Sequence, residues 1–209
     1  MSMQPSAVVF DLDGTLVDSG RAHLASLRYA AHTVGLPVPS IERCADCQRS
    51  TDLDTLATLV GDDLSSLGFA AYRASFTRLL WTVRAMPGAL DLVLALKGAG
   101  VVLGVCTGRS RVEAQLLLDA VGLDVPLITS REDVELPKPD PSGLLATIQV
   151  LGADRERAVY VGDGHADAEQ GSEARVRTYV VGDTALVPGP GVVRAASLGE
   201  LPIVSERAL

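Results

Sequence analysis

Four aspartates, arranged in two pairs, stand out as candidates for chemistry. Asp11 and Asp13 are two residues apart directly after the apolar run at 7–10, and Asp163 and Asp167 are four residues apart in the segment GDGHAD. Carboxylates at the end of a buried strand cost free energy unless a cation lies beside them. Hard oxygen donors without clustered His or Cys favour Mg²⁺ over zinc. The two pairs therefore predict a Mg²⁺ site.

Thr107, Gly108 and Lys138 add groups that can bind phosphate. Thr107 offers a hydroxyl, Gly108 lets backbone N–H groups approach an oxyanion, and a helix predicted to begin near Ser110 directs its positive end to the same place. Lys138 adds a point charge, in a chain where only Lys97 and Lys138 are lysines. These groups, together with a metal, predict a site for a phosphoryl group and for the charge of its transfer.

In this setting Asp11 is a candidate nucleophile and Asp13 a candidate acid and base. Attack of Asp11 on phosphorus would give an aspartyl-phosphate that water then hydrolyses. Asp13 is suited to protonate the leaving oxygen and later to take a proton from water. The alternative is a purely structural role, in which DLDGT forms an Asp-Gly turn and GDGHAD forms a loop with an Asp helix cap.

Short apolar runs alternate with helical patterns over most of the chain. The predicted strands are residues 7–10, 101–106, 126–129, 158–162 and 178–182. The predicted helices between them are residues 89–99, 110–121, 142–151 and 166–174. This alternation predicts an α/β fold, a doubly wound, Rossmann-like parallel sheet with helices on both faces. Ligands of such sheets bind beyond the carboxyl ends of the strands, where the polar residues above lie.

A gap of about ninety residues between the first two predicted strands is too long for one crossover. It contains helical patterns at 19–35, 52–60 and 65–84. We therefore expect an all-helical cap domain at 18–85, inserted into a core domain formed by 1–17 and 86–209. Trp81 is expected in the core of the cap. Residues 183–209 show weak periodicity and are expected to wrap the core domain.

Composition and charge exclude several classes of protein. A chain of 209 residues with 47% hydrophobic residues can bury a sizeable core, which excludes intrinsic disorder. The net charge of -8 repels phosphate backbones and anionic lipids, so neither nucleic acid nor a membrane is an expected partner. With no apolar run near the roughly 20 residues of a membrane span, we expect a cytoplasmic protein with reduced cysteines. No motif specifies an oligomeric state.

Three further polar residues are candidate substrate contacts. Arg109 follows the Thr-Gly pair and Arg49 lies in the predicted cap, and for both the alternative is an ordinary surface arginine. His165 could face the substrate or could simply occupy the first turn of a helix. Cys44 and Cys47 form a CxxC, which we interpret as two semi-buried side chains on one helical face. A regulatory disulfide is the alternative for them.

Four motifs of the chain resemble, in order, those of the haloacid dehalogenase superfamily. They are FDLDGTLVDS at 10–19, VCTG around Thr107, LPKPDP around Lys138 and VGDGHAD around Asp163. The helical insertion after the first motif is similar to the C1-type cap of the phosphoglycolate phosphatase-like branch.

The resemblance implies a role for each matching residue. Asp11 would be nucleophile and metal ligand, and Asp13 acid and base with its backbone carbonyl on Mg²⁺. Thr107 and Lys138 would bind phosphate. Asp163 would be the second carboxylate ligand, with Asp167 supporting the metal site from behind.

The predicted function is Mg²⁺-dependent hydrolysis of a small phosphorylated substrate, with the cap closing over it to exclude water. Phosphoglycolate, a sugar phosphate or a phosphorylated biosynthetic intermediate would each fit the family. Halide displacement is not expected, because true dehalogenases lack an acid at the position of Asp13.

Two alternatives to a phosphatase are considered. One is a phosphotransferase of the phosphoglucomutase kind. Those mutases rely on a cap lysine, and residues 18–85 contain none. The other is a non-catalytic phosphate-binding or partner-binding module, against which the complete set of four motifs and the long insertion argue.

Overall fold

The computed structural model describes residues 5–49, 51–182 and 189–203. The chain divides into two compact units, one formed by Met1–Asp18 with Ala85–Leu209 and the other by Ser19–Arg84. The first unit contains the main sheet, and the second consists mainly of helices. Strands in the described residues are β1 (Ala7–Phe10), β2 (Val17–Asp18), β3 (Arg84–Ala85), β4 (Val102–Cys106), β5 (Leu127–Thr129), β6 (Ala158–Gly162), β7 (Arg177–Val181) and β8 (Val192–Ala195).

Helices are present in both units. In the described residues they are α1 (Gly20–Thr33), α2 (Ile41–Asp46), α3 (Asp52–Val60), α4 (Asp62–Leu79), α5 (Ala89–Gly98), α6 (Arg111–Val121), α7 (Ser142–Val150) and α8 (His165–Ala174). Single 3₁₀ turns cover Leu80–Thr82, Arg131–Asp133, Arg155–Arg157 and Leu198–Glu200. No helix in the described part of the chain combines the length and hydrophobicity that crossing a bilayer requires.

The main sheet is parallel and has the strand order β5-β4-β1-β6-β7-β8. β1 is its centre, with Phe10 opposite Val105 of β4 on one side and Val161 of β6 on the other. The chain first builds outward from β1 to β4 and β5, then returns to add β6, β7 and β8 on the other side. Because crossovers are right-handed, this reversal puts helices on both faces. The α/β fold class predicted from the sequence is confirmed.

Helices cover the sheet through apolar faces. α7 contacts β1, β4 and β5, while α8 contacts β6 and β7. Leu144 and Ile148 of α7 are 0% and 3% exposed. Burial of a side chain of this size contributes about 1.5–3 kcal/mol. This packing holds β1, β4 and β6 in place. The strand order reverses at β1, and ligands of such sheets usually bind beyond the carboxyl ends of the strands at this point.

The C-terminal part of the sheet differs from the sequence-based expectation. Residues 192–195 form β8, which pairs in parallel with β7, with Val193 opposite Tyr179. Only the first residue of this strand is buried, and no long apolar run marks it, so the sequence pattern does not reveal it. Within 183–209, residues 183–188 and 204–209 lie outside the described residues.

The helical unit also departs from expectation at several positions. A further helix, α2, is capped by Ser40, whose hydroxyl accepts the Arg43 N–H at 3.1 Å. Trp81 was expected in the core of this unit and is instead 74% exposed. The expectation is wrong because α4 ends at Leu79, and Trp81 lies in the following 3₁₀ turn, in which no residue is buried. Tyr72, at 0% exposed, contributes to that core instead.

The CxxC cysteines lie in the same unit. Cys44 is in α2 and Cys47 follows at its C-terminal end, and both are free thiols. They are 1% and 0% exposed, so they are fully buried rather than semi-buried.

Candidate active site

Lys138 joins two of the predicted aspartates. Its Nζ donates to Oδ1 of Asp11 and, at 2.7 Å, to Oδ1 of Asp167. The Lys138 side chain is only 12% exposed, so this ammonium and its carboxylates are largely removed from water. The only lysine in the predicted motifs is therefore committed to their carboxylates.

Asp11 is positioned by β1. Its backbone N–H donates to the Val161 carbonyl at 2.8 Å, which continues the pairing with β6 one residue beyond Phe10. Asp11 is 8% exposed, at the carboxyl end of the central strand. The residue proposed as nucleophile thus directly follows the central strand of the sheet.

Asp167 is held where β6 turns into α8. Its Oδ2 accepts the backbone N–H groups of Asp163 at 3.2 Å and Gly164 at 3.1 Å, which caps the helix. Its Oδ1 accepts the Tyr160 hydroxyl at 2.6 Å. Including the bond from Lys138, both oxygens of Asp167 are occupied by donors. Asp163 accepts a long bond, 3.5 Å, from Thr15 Oγ1.

The donor set at this point fits a divalent cation. Asp11, Asp163 and Asp167 each offer a carboxylate oxygen, and these atoms lie within 4.8 Å of one another. Oxygen-only donor sets of this kind suit Mg²⁺. A cation would also offset the repulsion among the three carboxylates, which share a single lysine.

Burial and the neighbouring charges shift the pKa values of the clustered residues. Burial raises the pKa of Asp11 to about 8, with Asp167 and Asp163 adding to the effect of burial and Lys138 opposing it. Burial and the charge of Asp167 raise the pKa of Asp163 to about 6. For Asp167, burial is outweighed by Lys138, Tyr160 and the Gly164 N–H, so its pKa is lowered. For Lys138, burial is outweighed by Asp11 and Asp167, which hold its pKa well above the ordinary value.

Thr107 and Gly108 follow β4 at the neighbouring strand end. The Thr107 N–H donates to the Thr129 carbonyl at 3.0 Å, and its side chain is buried. Thr107, Gly108 and Lys138 line one small cavity together with Ser130. The three predicted phosphate-binding residues therefore share one cavity. α6 begins three residues after Gly108, at Arg111.

Arg109 lies against Asp13. Its Nε donates to Oδ2 at 2.9 Å and its Nη2 donates to Oδ1 at 3.0 Å, a bidentate ion pair. Arg109 is 6% exposed, so the interpretation as a surface arginine is wrong for this residue. The predicted substrate contact by Arg109 remains a prediction, and its pairing with Asp13 is not visible in the sequence.

The other two candidate substrate contacts are solvent-exposed. His165 is the first residue of α8. Arg49 lies in the helical unit, where its Nη1 donates to the carbonyl oxygens of Asp46 at 3.2 Å and Gln48 at 2.7 Å. Their contact with substrate remains a prediction.

Tyr160 is a residue that the sequence analysis missed. It is fully buried in β6, and Lys138 Nζ lies 5.5 Å from the centre of its ring. Its hydroxyl is the only polar side-chain group in the run AVYVG, which could have drawn attention to it. A buried phenol needs a hydrogen-bond partner, and here the partner is Asp167.

Comparisons with known proteins identify the family of the chain. The family model described as haloacid dehalogenase-like hydrolase matches residues 8–181. The chain is 32% identical to the phosphoglycolate phosphatase of Rhodospirillum rubrum, covering 98% of this chain and 88% of that protein. It is 28% identical to the N-acetylmuramic acid 6-phosphate phosphatase of Pseudomonas aeruginosa, covering 86% and 82%.

A solved structure shows the same fold. The crystal structure of CbbY from Rhodobacter sphaeroides in complex with phosphate superposes with a TM-score of 0.82 at 22% identity, covering 94% of this chain and 96% of that one. By its family match and its relatives, the chain belongs to the haloacid dehalogenase-like hydrolases, in their phosphoglycolate phosphatase-like branch.

Proposed function

We propose that this protein is a Mg²⁺-dependent phosphatase that hydrolyses a small phosphate monoester through an aspartyl-phosphate on Asp11. The relatives support a phosphoric monoester hydrolase, since they include a phosphoglycolate phosphatase and an N-acetylmuramic acid 6-phosphate phosphatase. Phosphoglycolate, a sugar phosphate or a phosphorylated biosynthetic intermediate is the proposed substrate class. The net charge of -8 disfavours nucleic acids and anionic membranes as partners, and a cytoplasmic location is part of the proposal.

The observation that carries the proposal is the contact between Lys138 and Asp11 beside Asp163 and Asp167. A lysine that contacts a buried carboxylate can hold the transferring phosphoryl group next to that carboxylate. Asp11 is the proposed nucleophile because, of the three clustered carboxylates, it is the one that follows the central strand.

The proposed reaction has two steps. An oxygen of Asp11 bonds to phosphorus as the ester oxygen leaves, and Asp13 gives its proton to that oxygen. Water then attacks phosphorus and its proton passes to Asp13. The phosphorus bond to Asp11 breaks, and inorganic phosphate and the free carboxylate result.

The remaining site residues are proposed to bind the phosphate group and Mg²⁺. Lys138, the Thr107 hydroxyl and the Gly108 backbone are proposed to bind phosphate oxygens. Asp11, Asp163 and the Asp13 backbone carbonyl are proposed to hold Mg²⁺, which when bound would offset repulsion between Asp11 and the phosphate dianion. Asp167 belongs to the same carboxylate cluster but is proposed to support the ligands from behind, because both its oxygens already accept hydrogen bonds.

The unit Ser19–Arg84 is proposed to act as the cap. Its limits differ by one residue at each end from the 18–85 expected from the sequence. A cap that excludes bulk water protects the phosphoenzyme and limits the size of the substrate. Arg49 is its candidate substrate contact.

The test is phosphate release from a panel of small phosphate monoesters, with Mg²⁺ and with EDTA. The intact chain and Asp11→Asn are compared after circular dichroism has verified folding. We expect metal-dependent release that the substitution abolishes. Release that Asp11→Asn retains, or release unaffected by EDTA, would contradict the proposal.

A further inference from the structure

Arg109 is fixed on both sides of its backbone. Its own N–H donates to Thr107 Oγ1 at 3.2 Å, and its carbonyl accepts the Arg131 N–H at 2.9 Å. Arg131 in turn donates through Nη1 to the Val134 carbonyl at 2.8 Å. The loops that follow β4 and β5 therefore restrain the backbone of Arg109, from which its side chain reaches Asp13.

The backbone of Asp13 is equally restrained, in a tight turn. Gly14 N–H donates to the Val17 carbonyl at 2.9 Å, and Val17 N–H donates to the Leu12 carbonyl at 2.9 Å. The Asp13 side chain is nevertheless 32% exposed. A partly exposed aspartate can adopt several rotamers, and the fork of Arg109 on both of its oxygens selects one of them.

We propose that Arg109 is a positioning residue that orients the Asp13 carboxylate for proton transfer. The inference rests on the proposed role of Asp13 as acid and base. Proton transfer requires a hydrogen-bond distance of roughly 2.6–3.2 Å between the carboxylate and its partner. A misplacement of about 1 Å can cost about 100-fold in rate. Nε and Nη2 both serve this orientation.

The two steps of the reaction depend on Asp13 to different extents. With an alkyl phosphate, the leaving oxygen needs a proton from Asp13. With 4-nitrophenyl phosphate it does not, because the phenolate is a stable leaving group. Hydrolysis of the phosphoenzyme needs Asp13 as base for either substrate. Misorientation of Asp13 should therefore make the phosphoenzyme accumulate when the aryl ester is used.

The experiment compares the intact chain with Arg109→Gln and Arg109→Lys. Each is mixed with 4-nitrophenyl phosphate and Mg²⁺ and quenched in acid, and phosphoenzyme is measured beside steady-state turnover. For Arg109→Gln we expect kcat to fall about 100-fold, KM to fall with it and the phosphoenzyme fraction to rise, whereas kcat/KM, which reports formation of the phosphoenzyme, should change little. Arg109→Lys keeps the charge without the fork and should recover only part of the rate.

Two controls separate positioning from a general effect. Arg111→Gln removes an arginine two residues away that is 53% exposed, and its kcat and phosphoenzyme fraction should match those of the intact chain. In an Asp13→Asn background, Arg109→Gln should have no further effect, because a residue that acts through Asp13 loses its role with it. If Arg109→Gln does not fold, Arg109→Lys carries the same comparison.

Several results would overturn the inference. A raised KM with unchanged kcat would make Arg109 a substrate contact. A lowered kcat without accumulation of phosphoenzyme, or additive effects in the double variant, would also contradict positioning. Absence of metal-dependent phosphate release from the intact chain would instead overturn the proposed function itself, which keeps the two failures distinguishable.

Discussion

The Tyr160 hydroxyl donates at 2.6 Å to Oδ1 of Asp167, the same oxygen that accepts from Lys138 Nζ at 2.7 Å. This shared oxygen connects the interior of β6 with the proposed nucleophile, because Lys138 also contacts Asp11. The phenol thus stabilises the ionised form of Asp167 and the position of Lys138.

Substitution of Tyr160 by Phe tests this connection. The ring packing remains, but Asp167 loses a donor, and a hydrogen bond to a charged group contributes about 1.5–3 kcal/mol. We expect kcat for phosphate release to fall about tenfold, with little change in KM. Tyr179→Phe is the control, because Tyr179 pairs with Val161 and so lies on the other face of the sheet. Equal losses in both variants would contradict the specific role.

Gly14 leaves room for Asp163. Its φ is +80°, and a Cβ added there would lie 2.1 Å from Asp163 Oδ2, so Gly14→Ala must displace a proposed metal ligand. We expect activity to require a higher Mg²⁺ concentration, in addition to a loss of stability of about 1 kcal/mol from the left-handed backbone.

Gly122 provides the matched control for that substitution. It has φ +70° at the end of α6, and an added Cβ would meet nothing within 4 Å. Gly122→Ala should lose similar stability in thermal denaturation and keep the Mg²⁺ dependence of the intact chain. A shifted Mg²⁺ dependence in Gly122→Ala, or an unchanged one in Gly14→Ala, would contradict the account.

Asp133 gives a prediction of stability against pH. Burial would raise its pKa, but hydrogen bonds from Ser130 and Arg111 outweigh burial and lower the pKa to about 2, from an ordinary 3.8. Because the folded-state pKa is depressed, the stabilisation is present above about pH 4 and is lost as the pH falls towards 2.

Denaturation of Asp133→Asn at several pH values measures this effect. We expect Asp133→Asn to lose about 1 kcal/mol in the free energy of unfolding at pH 7. The difference from the intact chain should become smaller below pH 4. Asp124→Asn is the control, since Asp124 pairs with Lys97 but its side chain is 82% exposed. Such an exposed pair should contribute little at any pH. A loss in Asp133→Asn that does not depend on pH would contradict the assignment.

The sequence predicts those parts of the fold that repeat a simple pattern. β1 and β6 are continuous apolar runs because both faces of a central parallel strand are buried. β8 escapes prediction because it is a half-exposed edge strand. α2 is short and follows two prolines, so only its Ser40 cap signals it.

Within the site, the sequence predicts candidates better than it predicts their partners. Asp11, Lys138 and Asp167 follow different strands, and the parallel sheet brings them together at one edge, as the motif order indicates. The partners of Arg109 and Tyr160 depend on side-chain directions across elements far apart in the chain. No local spacing encodes such contacts.

The covalent step is the central claim, and the mass of the peptide that contains Asp11 tests it most directly. The intact chain is mixed with Mg²⁺ and the best substrate of the phosphate monoester panel, quenched in acid during turnover, digested and analysed by mass spectrometry. The account predicts a phosphoryl group on the Asp11 peptide, absent in EDTA and in Asp11→Asn. Phosphate release with this peptide never labelled, or with the label on another residue, would contradict it.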